Sequence, residues 1–344
     1  MAGALQAPIG FNISELKFKV PGARQMALTD EGTLLVGSRR QGVVYAVPHA
    51  LTRNTPEVVK VVEGFTMPTG LALRDGDLYI AALNEVVRID DVERTYTDPE
   101  PNVVTRDLPA KRHHGWKYIK FGPDGYLYVP VGAPCNNCLS RDPRFASLLR
   151  MDAATGETEV WAAGIRNTVG FAWHPNTGDL WFSDNGRDRL GDDVPPEEIN
   201  VSRRKGQHFG YPFIHGGDLP DPKYGGHEAQ PEEMTGPVVK IQAHSAALGM
   251  AFYTGDAFPR AYKNALFVAE HGSWNRSSKV GYQVSVMIDA DGELQYRPFV
   301  TGWLKGQDVS GRPNDVLVTP GGDLLISDDQ RGVIYRVIYL GDGD

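Results

Sequence analysis

The chain has 344 residues, with 35 Lys and Arg against 43 Asp and Glu, and a formal net charge of −8 at pH 7. An acidic chain without a basic tail is poorly matched to a phosphate backbone, so nucleic acid is not an expected partner. No apolar run approaches the roughly 20 residues that a spanning helix needs, so no membrane span is expected.

The opening Met1-Ala2-Gly3-Ala4 shows no charged segment leading into a hydrophobic one, and no secretion signal is read there. A periplasmic or secreted protein with its signal removed and a cytoplasmic protein both remain open. Residues 11–20 alternate apolar and polar and are expected to form a strand that completes the last unit of a ring.

A repeat then begins. Its unit is a short apolar strand, a turn rich in Gly, Asp or Pro, and Leu followed by an apolar or aromatic residue. The turn leucines are Leu34, Leu78, Leu127, Leu180, Leu266 and Leu324. Each copy reads as a hairpin, because glycine supplies the positive φ that tight turns need. Most copies run on into a third strand, such as residues 42–47 and 332–337. Several strands per repeat at a period in the forties and above mark propeller blades rather than helical solenoids. The sequence therefore predicts an all-β, six-bladed β-propeller spanning 1–344 as one domain. The longest spacing, Leu180 to Leu266, places an insertion at about 186–247. A β-sandwich fits less well, since six copies at blade spacing are hard to distribute over two sheets.

In such a ring the segments leading into the innermost strands gather at one face. Here they are Arg24-Gln25, Pro68-Thr69, His113-His114, Arg166-Asn167, His244-Ser245 and residues 312–315. Three carry Arg and two carry His, so an acidic protein is expected to have a locally cationic mouth. Arginine forks match carboxylates, which points to an anionic ligand. Arginines that only tie blades together are the plainer reading of one or two of them. A histidine among them is a candidate proton acceptor; a merely hydrogen-bonded role is the alternative. The only cysteines, Cys135 and Cys138, lack the further ligands of a zinc site and are read first as a local disulfide. Residues 183–200 are dense in carboxylates and carbonyls, which suits either Ca²⁺ or a solvated loop.

The motifs His113-His114-Gly115-Trp116, residues 122–125 (GPDG), residues 164–171 (GIRNTVGF), residues 184–188 (DNGRD), residues 198–200 with 206–212, and residues 271–276 (HGSWNR) occur in this order. Together they resemble the soluble quinoprotein sugar dehydrogenases, most closely the L-sorbosone and aldose sugar dehydrogenase branch. The resemblance implies a six-bladed propeller binding pyrroloquinoline quinone (PQQ) and Ca²⁺, a small-molecule sugar substrate and an external electron acceptor. It implies His114 as catalytic base and Arg166 and Asn167 on the quinone. It places the carbonyls of Gly186 and Arg187 on the cofactor's Ca²⁺, and Glu198 with the carbonyl of Phe209 on a second Ca²⁺. Arg312 matches a ligand of a cofactor carboxylate, and Arg276, with Lys279 as the second choice, falls where a lysine meets the quinone. Ala133 stands where soluble glucose dehydrogenases place the acidic partner of the base, and Asn314 where a second arginine is expected. Rival readings are a Ca²⁺-dependent lactone hydrolase and a non-catalytic binding platform, since a fold does not fix a function.

Overall fold

The computed structural model describes residues 5–290 and 292–341. Residues 1–4, on which the reading of an absent signal rests, lie outside them. Six antiparallel sheets are arranged as the blades of a propeller. In blade one the strands run Ala23–Leu28, Leu34–Ser38, Val43–Val47 and Val59–Glu63, from the axis outward. Blades two to five repeat this order. Blade six takes three strands from the C-terminal end of the fold and its outermost from Phe11–Glu15, which pairs antiparallel with Val333–Tyr339. The ring is thus closed by strand pairing between its two ends, as the alternation of residues 11–20 predicts.

Second strands such as Leu34–Ser38, Leu127–Val131, Leu266–Glu270 and Leu324–Asp328 are buried at every position. Blades stack face to face, so a middle strand is covered on both sides and needs no polar face. This is why the repeat reads as a continuous apolar run after each turn. The interface of blades one and two is typical: Leu35, Val44 and Ala46 pack on Leu71, Ile80 and Val87. Outer strands meet solvent instead, and Glu293–Val300 is mostly exposed. Turn chemistry follows the sequence closely. Asp75 (φ 54°) and Gly76 (φ 87°) link Arg74 to Asp77, the two positive φ values of a type I′ hairpin.

Residues 186–247 hold two strands of blade four, Glu197–Ser202 and Val239–Ile241. Between them lie the short strand Gln207–His208, paired parallel to the outer strand of blade three, and a hairpin of Ile214–His215 with Leu219–Pro220. That segment therefore bridges two blades over the face where the inner loops collect.

Phe11 anchors the closing strand. Its ring lies 4.8 Å from Phe258, 5.3 Å from Tyr262, 5.1 Å from Phe299 and 5.0 Å from Tyr339. Replacing it with Ala removes these edge-on contacts at a half-buried position. The expected loss is about 2 kcal/mol of stability, read as an earlier denaturation midpoint in urea. A variant with an unchanged midpoint would show that the strand pairing alone closes the ring.

Candidate functional site

Five of the six inner segments line one cavity of about 540 Å³ at the propeller mouth; the sixth, Pro68-Thr69, does not, and Met67 just before it reaches the wall instead. Its wall includes Arg24, Met67, His114, Arg166, Asn167, His244 and Arg312, with Arg39, Trp116, Asp188, Glu197, His271 and Trp274 added from neighbouring strands and loops. The convergence follows from ring geometry, because each segment enters its innermost strand from the same face.

His114 is buried and sits in the left-handed region (φ 51°). Its position depends on Gly132: a Cβ there would lie 2.5 Å from His114 Cβ and 2.9 Å from its carbonyl oxygen. That close approach brings His114 Nδ1 to 3.0 Å from the carbonyl oxygen of Ala133. A carbonyl only accepts, so Nδ1 carries the proton and Nε2 presents its lone pair. Nε2 has no partner among the described residues and is open to the cavity. The backbone of Ala133 thus orients the imidazole without the carboxylate that the family pattern places there. Burial, then the charge of Arg166 and the neighbouring His113, hold the His114 pKa well below its ordinary value, so the ring is neutral near pH 7.

Arg166 is almost fully buried and firmly held. Nε donates to the Asn136 carbonyl at 2.9 Å, Nη2 to Asn136 Oδ1 at 2.9 Å and Asp188 Oδ2 at 3.0 Å, and Nη1 to the Asn185 carbonyl at 2.9 Å. Four of five N–H groups are therefore engaged, leaving one on Nη1. The backbone of this segment is fixed from below. Asp184 accepts the Arg166 N–H at 2.8 Å and the Asn167 N–H at 2.6 Å. The Asn167 side chain makes no hydrogen bond among the described residues and lines the cavity.

Asn136 belongs to the loop closed by the Cys135–Cys138 disulfide, the local pairing expected from sequence. The Tyr211 hydroxyl accepts the Cys138 N–H at 3.0 Å, which docks the loop against the segment that bridges blades three and four. The role of Asn136 was not visible in the sequence, since nothing in Cys-Asn-Asn-Cys indicates an arginine 30 residues away.

On the opposite wall Arg24, Asp329 and His271 form a chain. Arg24 Nη2 lies 2.6 Å from Asp329 Oδ2, and Asp329 Oδ1 lies 2.8 Å from His271 Nε2. Burial opposes ionisation of Asp329, but Arg24 and His271 overcome it and hold its carboxyl below the usual range. Burial lowers His271 to about 4. Arg312 donates from Nε to the His271 carbonyl at 3.0 Å and from Nη2 to the Gly272 carbonyl at 2.7 Å, leaving Nη1 free to meet a ligand.

Gly186 lines the cavity, and its N–H donates to Glu197 Oε2 at 2.8 Å. Burial pushes Glu197 up to about 8, so it adds little negative charge to the wall at neutral pH. Arg187 turns its side chain away, onto Asp221, which in turn contacts His215 Nε2 at 3.0 Å. Only its backbone remains near Gly186. Glu198 is buried below the cavity, accepting the Gly216 N–H at 2.6 Å and Asn200 Nδ2 at 2.9 Å. Phe209 is buried, with its N–H on the Ala163 carbonyl at 2.9 Å. Arg276 does not line the cavity. It pairs with Asp193 at 3.0 Å and with the carbonyls of Asp192 and Ser278, because the 187–193 loop runs past it. Trp274, two residues earlier, reaches the rim instead.

The cavity is net cationic in a chain of net charge −8. Arg24 Nε is buried without a partner, as is Trp116 Nε1. Unmatched donors and excess positive charge fit a polyanionic, acceptor-rich cofactor such as a tricarboxylate quinone. Among the described residues no three His, Cys, Asp or Glu side chains converge as a metal cage. A cation at Gly186 and Arg187 would take backbone carbonyls and ligand oxygens, which a hard ion such as Ca²⁺ accepts.

Comparison with known proteins bears on the family and the fold. A protein of Borreliella burgdorferi is 32% identical over 358 residues, covering 98% of this chain and 92% of that protein. The aldose sugar dehydrogenase YliI of Escherichia coli is 36% identical over 252 residues, covering 67% of this chain and 61% of that protein. The solved holo form of the pyranose dehydrogenase PQQ domain from Coprinopsis cinerea superposes with a TM-score of 0.80 at 17% identity, covering 98% of this chain and 97% of that one, which shows a shared fold. The Glucose / Sorbosone dehydrogenase family model matches residues 80–336, and the chain belongs to that family.

Proposed function

We propose that this protein oxidises an aldose or a sugar aldehyde with PQQ and Ca²⁺, using His114 as base, and passes the electrons to an external acceptor. The observation that carries this reading is the state of His114: neutral, fixed in the Nδ1–H tautomer by Ala133, with Nε2 open to an arginine-walled cavity. Two of the similar proteins, an aldose sugar dehydrogenase and a pyranose dehydrogenase PQQ domain, support the substrate class and the quinone.

His114 Nε2 takes the proton from the hydroxyl on the anomeric carbon, or from an aldehyde hydrate. The same carbon gives up its hydride as the C–O bond gains double-bond character. PQQ, when bound, supplies the two-electron acceptor for that hydride. Arg166 holds a fixed positive charge beside the cofactor, already oriented by Asn136, Asp188 and Asn185, so no reorganisation is needed as charge develops. Asn167 and Arg312 bind and orient the cofactor. The carbonyls of Gly186 and Arg187 would hold its Ca²⁺, and Glu198 with the carbonyl of Phe209 would hold a second ion. Arg276 acts one step back, bracing the 187–193 loop. A lactone hydrolase would hold a central metal with Glu, Asp and Asn side chains from several blades, whereas the cavity wall here carries more Arg and His than carboxylates, which favours the dehydrogenase reading. The Cys135–Cys138 disulfide supports a periplasmic or secreted location, where such bonds persist.

Three measurements test this. His114→Gln should still load with PQQ and Ca²⁺ but turn over roughly 10²–10⁴-fold more slowly, whereas Arg312→Ala should load poorly and recover with excess quinone. If His114→Gln reduces an electron-accepting dye at the normal rate, the base lies elsewhere. The pH profile gives a second check. His114 acts unprotonated and its pKa is lowered, so activity should persist as pH falls through 6.5 and be lost only further into acid. An acid limb at or above 6.5 would contradict the assignment. Third, Asn136→Ala removes one hydrogen bond to Arg166 and its links to Asp188. A fall in kcat/KM of about tenfold is expected without loss of folding. Unchanged kinetics would show that Asp188 and Asn185 suffice to hold the guanidinium.

A further inference from the structure

Beside the main cavity lies a second cleft of about 420 Å³, lined by Arg39, Arg40, Phe65, Thr66, Met67 and Arg112. It shares Arg39, Met67 and Arg112 with the cavity wall, so the two spaces are adjacent. Arg112 is two residues before His114 in the same loop, which sets the cleft on the side of the base.

None of the three arginines has an ion pair or a side-chain hydrogen bond among the described residues. Nearby carboxylates are already engaged. Asp329 has one oxygen on Arg24 at 2.6 Å and the other on His271 at 2.8 Å, and Asp188 holds Arg166 at 3.0 Å. Arg39 is half-buried and stacks on the Trp116 ring at 4.1 Å from its centroid. Asp329 acts on it only from a distance, and a partly desolvated guanidinium without a direct partner is better satisfied when an anion completes it. Burial and the charges of Arg24 and Arg40 accordingly lower Arg39 to about 10. Arg40 and Arg112 are exposed at the mouth of the cleft, and the three positive charges, which no carboxylate pairs, contrast with the net −8 of the chain. Arg312 and Arg166 do not line this cleft, although Arg39 and Arg112 face both spaces.

We propose that this cleft is a second anion subsite, and that the sugar oxidised here carries an acidic group, phosphate or carboxylate, seated on Arg39, Arg40 and Arg112. The proposal rests on the dehydrogenase reading for its substrate, though not for the binding of the anion. Paired guanidinium donors suit both groups, and the exposed mouth admits a group at the far end of a sugar whose anomeric carbon faces His114.

The test compares glucose 6-phosphate, glucuronate and glucose as substrates of the PQQ- and Ca²⁺-loaded enzyme, with dye reduction as readout. The ratio of kcat/KM, acidic over neutral sugar, should be at least about tenfold for one of the two acids, and the better acid identifies the group. In the Arg40→Ser, Arg112→Ser double variant that ratio should fall at least about tenfold, with PQQ affinity unchanged by titration. Raised salt should lower the wild-type ratio in the same direction. No preference for either acid, or a preference that survives the double variant, overturns the proposal. So does a double variant that loses PQQ affinity while keeping the ratio, since the cluster would then serve the cofactor. If no sugar is oxidised, the dehydrogenase reading fails, and calorimetry on the unloaded protein decides the subsite. Binding of glucose 6-phosphate or glucuronate well above glucose, lost in the double variant, supports it; equal binding of all three overturns it.

Discussion

The structure depends on how six innermost strands meet at one axis. Each is the edge of its sheet, so its outward N–H and C=O groups lack a ladder partner. Polar side chains supply the missing bonds across blades. Gln25 donates to the Ile119 carbonyl at 2.7 Å and accepts the N–H groups of Leu71 and Ile119 at 2.9 and 3.0 Å, tying blade one to blades two and three. Thr69 exchanges two 2.8 Å bonds with the Lys117 backbone. Asp315 accepts the Met26 N–H at 2.9 Å and joins blade six to blade one. Ser183 and Asn185 reach the Leu248 and Ala247 carbonyls at 3.0 and 2.6 Å. These ties fix the loops just above them. A mouth built from six separate segments is rigid for this reason.

On that frame the cavity concentrates positive charge that the rest of the surface opposes. Glu197 is kept largely protonated by burial, and Asp188 and Asp329 are matched to Arg166 and Arg24. The remaining guanidinium charge has no internal counterpart. The same field, added to burial, keeps His114 neutral. One electrostatic arrangement thus makes the cavity favourable to an anion and keeps the imidazole unprotonated.

The site also shows how a residue can be replaced by backbone. A carboxylate beside a catalytic histidine fixes its tautomer and adds negative charge. The Ala133 carbonyl fixes the tautomer alone. Without that negative charge the imidazole remains less basic, consistent with its lowered pKa.

The sequence by itself determined the ring and its mouth. Strand and turn signals are local, and the apolar run after each turn reports a strand covered on both faces. Six copies then force closure, which gathers Arg24, His114, Arg166, Asn167, His244 and Arg312 without further information. Motif resemblance added Gly186, Glu198 and Phe209, whose backbones sit in or beneath that region. Tertiary structure alone decided the directions of long side chains. Arg187 and Arg276 turn from the cavity because Asp221 and the 187–193 loop offer nearer partners. Arg39 enters it from the bend after Leu34–Ser38, where Trp116 provides a ring to stack on. Asn136 reaches Arg166 only because the disulfide loop docks on Tyr211. Such contacts join residues far apart in sequence, and a flexible side chain chooses among partners by distance and charge, which no local pattern encodes.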